Sequence, residues 1–272
     1  MSFALLDSPL ILSIAFHPRP ADPAEGERAG EVGIHSGTIP LSATTPEGEA
    51  VRLGYRLYTA LPDQPLILYF HGNGEIAPDY DDIARFYTER AGASLLVVDY
   101  RGYGWSTGQP SFNALIGDVP DILAALPGIR AEGGISPTPP LVVMGRSLGS
   151  APAIHLAHTT PEAVRGLILE SAFTDILSLM IRLGAPGNVI GNALDPLGNG
   201  RKMREITLPT LILHGQEDTL IPIDHAERLY EASAAPPERK TLLRIPNAGH
   251  NDLLRHGLWD YFDAIAAFLK GL

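Results

Sequence analysis

Leu141-Val142-Val143-Met144-Gly145-Arg146-Ser147-Leu148-Gly149 decides how this chain is read. The first four residues are a short apolar run of the kind that forms a buried strand, and residues 145–149 match G-x-S-x-G. The run Ser150-Ala151-Pro152-Ala153-Ile154-His155-Leu156-Ala157 reads as a helix, with Pro152 early enough for a first turn. A serine on a sharp strand-to-helix turn projects its Oγ out of the sheet, at the cost of strained backbone angles. Small residues two positions to either side let the chain bend that tightly, and Gly145 and Gly149 stand there. The motif reads as a nucleophile elbow with Ser147 as the candidate nucleophile.

Outward from the elbow, apolar strands alternate with amphipathic helices. Strands are expected over residues 37–43, 50–58, 66–70, 94–100, 141–144, 164–169, 210–214 and 241–245. Helices are expected over 80–91, 112–126, 151–158, 224–233 and 253–269. This pattern implies an α/β fold, a mostly parallel eight-stranded sheet with helices on both faces. Pro46-Glu47-Gly48 marks a turn between the first two strands, and the Pro-rich stretch 136–140 a surface loop into the elbow strand. Residues 18–33 are rich in Pro, Gly and Glu and read as an exposed linker, so 1–33 is taken as an N-terminal arm. Residues 172–208 are too long for a plain connection. They begin with the greasy helix 176–183 and continue through Gly187-Asn188, Gly191-Asn192 and Gly198-Asn199-Gly200, which suggests a reduced cap over a site. One domain over 1–272 accommodates all of this.

Composition narrows the partners. Thirty-one acidic against 20 basic residues give a net charge of −11, which argues against nucleic acid and against anionic membrane surfaces. The absence of cysteine excludes disulfides, Cys-ligated zinc and a thiol nucleophile. The apolar stretch 10–16 is too short to span a bilayer. It follows Asp7, has no basic region before it and runs into Pro18-Arg19-Pro20. It reads as a packed strand or amphipathic arm, with no stable membrane insertion and a cytoplasmic location expected.

A serine hydroxyl needs a base within hydrogen-bond reach and an acid to orient that base. Open α/β sheets put such groups at the carboxyl ends of strands. Leu211-Ile212-Leu213-His214-Gly215-Gln216-Glu217-Asp218 offers Asp218 as the acid, with Glu217 and Asp175 as competitors. Leu242-Leu243-Arg244-Ile245-Pro246-Asn247-Ala248-Gly249-His250 offers His250 as the base. Donors for a developing oxyanion are expected from the backbone N–H of Leu148 and from the loop His71-Gly72-Asn73-Gly74-Glu75, with Asn73 ahead of Gly74. His71 reads as a structural hydrogen-bonding residue.

With these residues placed, the chain resembles the α/β-hydrolase superfamily, and within it the small-cap serine hydrolases related to the α/β-hydrolase-domain proteins. Phe70-His71-Gly72-Asn73, Asp99-Tyr100-Arg101-Gly102-Tyr103-Gly104-Trp105-Ser106, residues 145–149, residues 214–222 and Gly249-His250-Asn251-Asp252 carry the resemblance, in family order from about residue 34 onward. The order Ser, Asp, His also fits that superfamily. The resemblance implies esterase, lipase or thioesterase chemistry on a small-molecule or acyl substrate, with no cofactor and no metal. Gly74-Glu75 departs from the pattern and places a carboxylate near the oxyanion loop. An acyltransferase or peptidase on the same triad, or a non-catalytic binding module, are the alternatives.

Other features invite function and have plainer readings. The glycine-rich stretch 99–106 lacks the dinucleotide spacing and reads as a supporting loop. His155 and His158 lack a third ligand and read as packing or surface histidines. Asp79, Asp81 and Asp82 lack the rest of a calcium loop and suit a helix N-terminus. The apolar stripe 176–183 is either cap core or the lining of an acyl pocket.

Overall fold

The computed structural model describes residues 3–26, 30, 31, 33–45, 48–190 and 193–272. A short helix, α1 (Pro9–Ala15), precedes β1 (Ile34–Thr44), β2 (Ala50–Tyr58), β3 (Leu66–Phe70) and β4 (Ser94–Val98). Then come α2 (Phe112–Gly117), α3 (Val119–Glu132), β5 (Leu141–Arg146), α4 (Ser150–Thr159) and β6 (Gly166–Glu170). Three short helices follow, α5 (Ile176–Arg182), α6 (Gly187–Ile190) and α7 (Asn199–Met203). The chain closes with β7 (Thr210–Gly215), α8 (Ile223–Ala232), β8 (Lys240–Ile245) and α9 (Leu253–Lys270).

The eight strands form one sheet in the order β1-β2-β4-β3-β5-β6-β7-β8. β2 runs antiparallel to both β1 and β4, and all remaining pairs are parallel. The central strands are buried on both faces, which is why they read as continuous apolar runs. In β3, Leu66, Leu68 and Phe70 join one core layer while Ile67 and Tyr69 join the other. Helices α2, α3, α4 and α8 cover the first layer and α9 the second. The parallel strands end together, so the loops after β3, β5, β7 and β8 gather at one edge.

One expectation is corrected. Residues 80–91 do not form a continuous helix. A 3₁₀ turn spans Ala77–Tyr80 and a π-helical segment Phe86–Ala91, ended by Gly92 at φ 71°. Between them Asp81 turns inward to a buried ion pair with Arg56, Oδ2 to Nη1 2.7 Å, and accepts from Tyr58 Oη at 2.6 Å. Helical periodicity carries no trace of that pairing.

The apolar stretch 10–16 packs as expected, as the helix α1 and not as a strand, and the described residues 18–26 are mostly exposed. Leu6 and Ile11 are fully buried, α1 packs on α5, and Asp7 accepts the Phe112 N–H at the start of α2 at 2.7 Å. Further along, Arg56 Nη2 donates to the carbonyls of Pro23 and Glu25 at 2.8 and 2.7 Å, tying that loop to the sheet. Within residues 176–183, Ile176, Leu177, Leu179 and Met180 lie in the core while Ile181 and Leu183 are exposed. The turn at Pro46-Glu47 and the Gly191-Asn192 pair lie outside the described residues.

Candidate active site

Ser147 sits where β5 meets α4, at φ 50° in the left-handed region. The glycines of its motif are required by close approach. A Cβ on Gly145 would strike the Gly149 carbonyl, and one on Gly149 would strike the Phe70 carbonyl of the neighbouring strand. Ser147 is 7% exposed. Its Oγ lies 3.0 Å from His250 Nε2.

His250 follows β8, and its Nδ1 lies 2.7 Å from Asp218 Oδ2. An ionised carboxylate only accepts, so Nδ1 carries the hydrogen and Nε2 is left to accept from Ser147. Asp218 follows β7. Its Oδ1 accepts the N–H groups of Leu220 and Ile221 at 2.9 and 2.8 Å. Burial works to raise the carboxyl's pKa, but the His214 ring beside it and the hydrogen bonds from His250 and the Ile221 N–H outweigh it. The carboxyl is held well below the usual carboxylate range. The competing acids lie elsewhere. Glu217 is exposed, and Asp175 caps α5 by accepting the Ser178 N–H at 2.6 Å.

The loop after β3 is fixed from several directions. The Gly72 carbonyl accepts from His71 Nδ1 at 2.8 Å and from the Glu75 N–H at 3.2 Å. In a trans peptide the carbonyl and the following N–H point opposite ways, so holding the Gly72 oxygen aims the Asn73 N–H away from these donors. The Asn73 side chain is anchored too. Its Oδ1 accepts from Tyr103 Oη at 2.7 Å and from the His17 N–H at 2.9 Å. Leu148 lies in the first turn after Ser147, where backbone N–H groups lack intrahelical acceptors.

Behind the elbow, Arg146 reaches three loops. It pairs with Glu75 through Nη1 and with Glu170 through Nε at 3.1 Å. Its Nη2 donates to the His250 carbonyl and to Asn251 Oδ1, both at 2.9 Å. A cavity of about 190 Å³ opens here, with Tyr80, Arg146, Glu170, His250 and Tyr261 in its lining. Glu75, the departure from the family pattern, therefore faces a guanidinium.

The structure thus brings Ser147, His250, Asp218, Leu148 and Asn73 to one edge of the sheet. Sequence reasoning missed His17, Tyr103, His214 and the Arg146–Glu75 pair. Glu75 was visible as a stray acid, and an arginine at the second motif position was its available partner. Nothing local to His17 pointed to Asn73, 56 positions away.

The histidine pair on α4 has other partners. Lys202 Nζ lies 3.2 Å from His155 Nδ1, and His158 Nε2 lies 2.9 Å from Glu205 Oε2. Burial first, then the Lys202 and His158 charges, pushes the His155 imidazole down to about 4. Among the described residues no group of three or more His, Asp or Glu side chains is placed to hold a metal ion. Among them, too, no helix is long and apolar enough to cross a membrane.

Comparison with known proteins bears on the family and the fold. The family model described as "Serine aminopeptidase, S33" matches residues 62–191. Human alpha/beta hydrolase domain-containing protein 17B is 32% identical over 207 residues, 75% of this chain and 66% of its own length. The Caenorhabditis elegans alpha/beta hydrolase domain-containing protein aho-3 is 30% identical over 222 residues, 80% of this chain and 61% of its own length. The chain belongs to the α/β-hydrolase superfamily.

This α/β-hydrolase spans less than two thirds of the length of these curated relatives. Among solved structures it superposes on the Pyrococcus furiosus esterase Pf2001 with a TM-score of 0.69 at 17% identity, covering 94% of this chain and 99% of that one. The Paleococcus ferrophilus monoacylglycerol lipase gives 0.58 at 20% identity, covering 80% and 98%. These likenesses establish the α/β-hydrolase fold.

Proposed function

We propose that this chain is a serine hydrolase that cleaves carboxylic esters or thioesters through an acyl-enzyme intermediate. The observation that carries the reading is the relay from Asp218 through His250 to Ser147, with contacts of 2.7 and 3.0 Å on a left-handed serine. Ser147 Oγ attacks the acyl carbon and His250 Nε2 takes its proton. Asp218 keeps the imidazole in the required tautomer and stabilises the imidazolium. The N–H groups of Leu148 and Asn73 receive the oxyanion, an interaction strongest in the transition state. The tetrahedral intermediate expels the alcohol or thiol, which takes the proton from His250. Water then attacks the acyl-enzyme with His250 as base, and Ser147 leaves with that proton as the acid is released.

The net charge of −11 supports a small-molecule or acyl substrate over nucleic acid. The match to the serine aminopeptidase family favours a second reading, hydrolysis of an aminoacyl amide by the same residues. The test is fluorophosphonate labelling of the wild type, Ser147→Ala and His250→Ala, followed by p-nitrophenyl esters and acyl thioesters of graded length and by aminoacyl p-nitroanilides. Labelling that disappears in both variants, with ester or thioester turnover, supports the reading. Faster turnover of the anilides would replace it with the peptidase. A folded wild type that is not labelled would overturn it.

A further inference from the structure

Arg146 occupies the variable position directly before the candidate nucleophile, and its guanidinium is nearly enclosed, with 11% of the side chain exposed. All of its nitrogens that bear hydrogens are engaged, each on a different part of the site. Nη1 meets Glu75 on the oxyanion loop, Nε meets Glu170 at the end of β6, and Nη2 meets the carbonyl of His250 and the side chain of Asn251. The far ends of these contacts are held in turn. Glu75 Oε2 accepts the Gly72 N–H at 2.7 Å and Tyr80 Oη at 2.7 Å. Glu170 Oε2 accepts from Tyr261 Oη at 2.7 Å and Tyr69 Oη at 3.3 Å.

Two consequences follow from this arrangement. Glu75 fixes the peptide unit immediately before Gly72–Asn73, so the direction of the candidate oxyanion donor depends on where Arg146 holds Glu75. The His250 carbonyl is fixed by the same guanidinium, so the base and the oxyanion donor are referenced to one rigid, planar group. That group is attached to the residue next to the nucleophile.

We propose that Arg146, through its ion pair with Glu75 and its hydrogen bond to the His250 carbonyl, is a positioning residue that sets the oxyanion loop and the general base in register with Ser147. The proposal rests on the reading of Ser147 as nucleophile. Arg146 touches no reacting atom in this role. A displacement of about 1 Å in such an arrangement lowers turnover by about 100-fold.

The experiment compares the wild type with Arg146→Gln, Arg146→Lys and Glu75→Gln on p-nitrophenyl butyrate. Every preparation is titrated to completion with fluorophosphonate, so that kcat is expressed per reactive serine. Glu75→Gln retains an acceptor for the Gly72 N–H while removing the ion pair, and it reads the same linkage if Arg146→Gln does not fold. The expected result is a kcat per titrated serine lower by about 30- to 100-fold in Arg146→Gln. A fall of about 10-fold is expected in Glu75→Gln, an intermediate value in Arg146→Lys, and KM within about twofold throughout. A merely structural role would lower the titratable fraction and leave kcat per titrated serine and KM at wild-type values, which would overturn the proposal. So would unchanged kinetics in the folded variants while the wild type is labelled and active; the hydrolase reading would then stand. A wild type that is neither labelled nor active would overturn that reading and this inference with it.

Discussion

His214 and Asp218, one at the end of β7 and one in the turn after it, grip the same residue from two sides. The imidazole Nε2–H of His214 donates to the Ile221 carbonyl at 2.7 Å, and Asp218 Oδ1 accepts the Ile221 N–H at 2.8 Å. The acid loop is therefore closed on itself before the carboxylate's second oxygen meets His250. Both side chains are buried, and His214 Nε2 lies 3.4 Å from Asp218 Oδ2.

Asp218→Asn keeps an oxygen for the two backbone donors but presents the wrong group to His250 Nδ1. On the proposed mechanism kcat falls by about 10⁴-fold while the fold persists. The pH dependence has a definite sign. The folded-state pKa of Asp218 is depressed, so its carboxylate contributes stability that is full above the unfolded value of about 4 and is lost as pH falls toward the folded value. Urea unfolding of the wild type and the variant at pH 7 and pH 3 should show the wild type's advantage shrinking at the lower pH. An advantage that is constant or grows would contradict this account of the carboxylate.

The left-handed Ser147 makes a stability prediction that does not involve catalysis. Alanine keeps the Cβ and hence the strain, whereas glycine relieves it at φ 50°. Ser147→Gly is expected to be more stable than Ser147→Ala by about 1 kcal/mol, both lacking the Oγ. Comparing their urea midpoints measures it, and a more stable alanine variant would refute the strain.

Arg56 and Asp81 form an ion pair with both side chains almost wholly inaccessible. Arg56→Met leaves the Asp81 carboxylate buried without its counter-charge and should cost about 3–5 kcal/mol. Adding Asp81→Leu removes the stranded charge and should recover a large part of that loss. Equal destabilisation by the single and double substitutions, measured by chemical denaturation, would show the pairing to be irrelevant.

On α1, Ile11 is fully buried while Leu10 beside it is 48% exposed. Ile11→Ala should destabilise by about 2–5 kcal/mol, within the range for buried aliphatic truncations. Leu10→Ala should change stability by no more than about 0.5 kcal/mol. Similar small effects for both would mean that the arm is not part of the cooperative core.

The legible part of this molecule was what periodicity and local turn chemistry encode. The strands 50–58 and 66–70 coincide with β2 and β3, and the order of Ser147, Asp218 and His250 along the chain matches their convergence at one edge of the sheet. What escaped notice depends on partners distant in sequence. Arg56 draws Asp81 inward from 25 positions away, and the segment around Asp81 forms 3₁₀ and π turns where a helix was expected. His17 meets Asn73 through a backbone N–H, a group that every residue except proline carries and that no residue type advertises. Glu75 and Arg146 were each visible, but an ion pair over 71 positions is a property of the fold.

The contact of His17 with Asn73 and Tyr103 joins the loop after β3 to the segment that follows α1. A seven-residue terminal helix such as α1 opens at lower free energy than central strands. Local opening of α1 would release one restraint on Asn73 while the eight strands stay paired. On the proposed function, activity would then decline at temperatures where far-ultraviolet circular dichroism still reports an intact sheet, and α1 would set a lower thermal limit than the central strands.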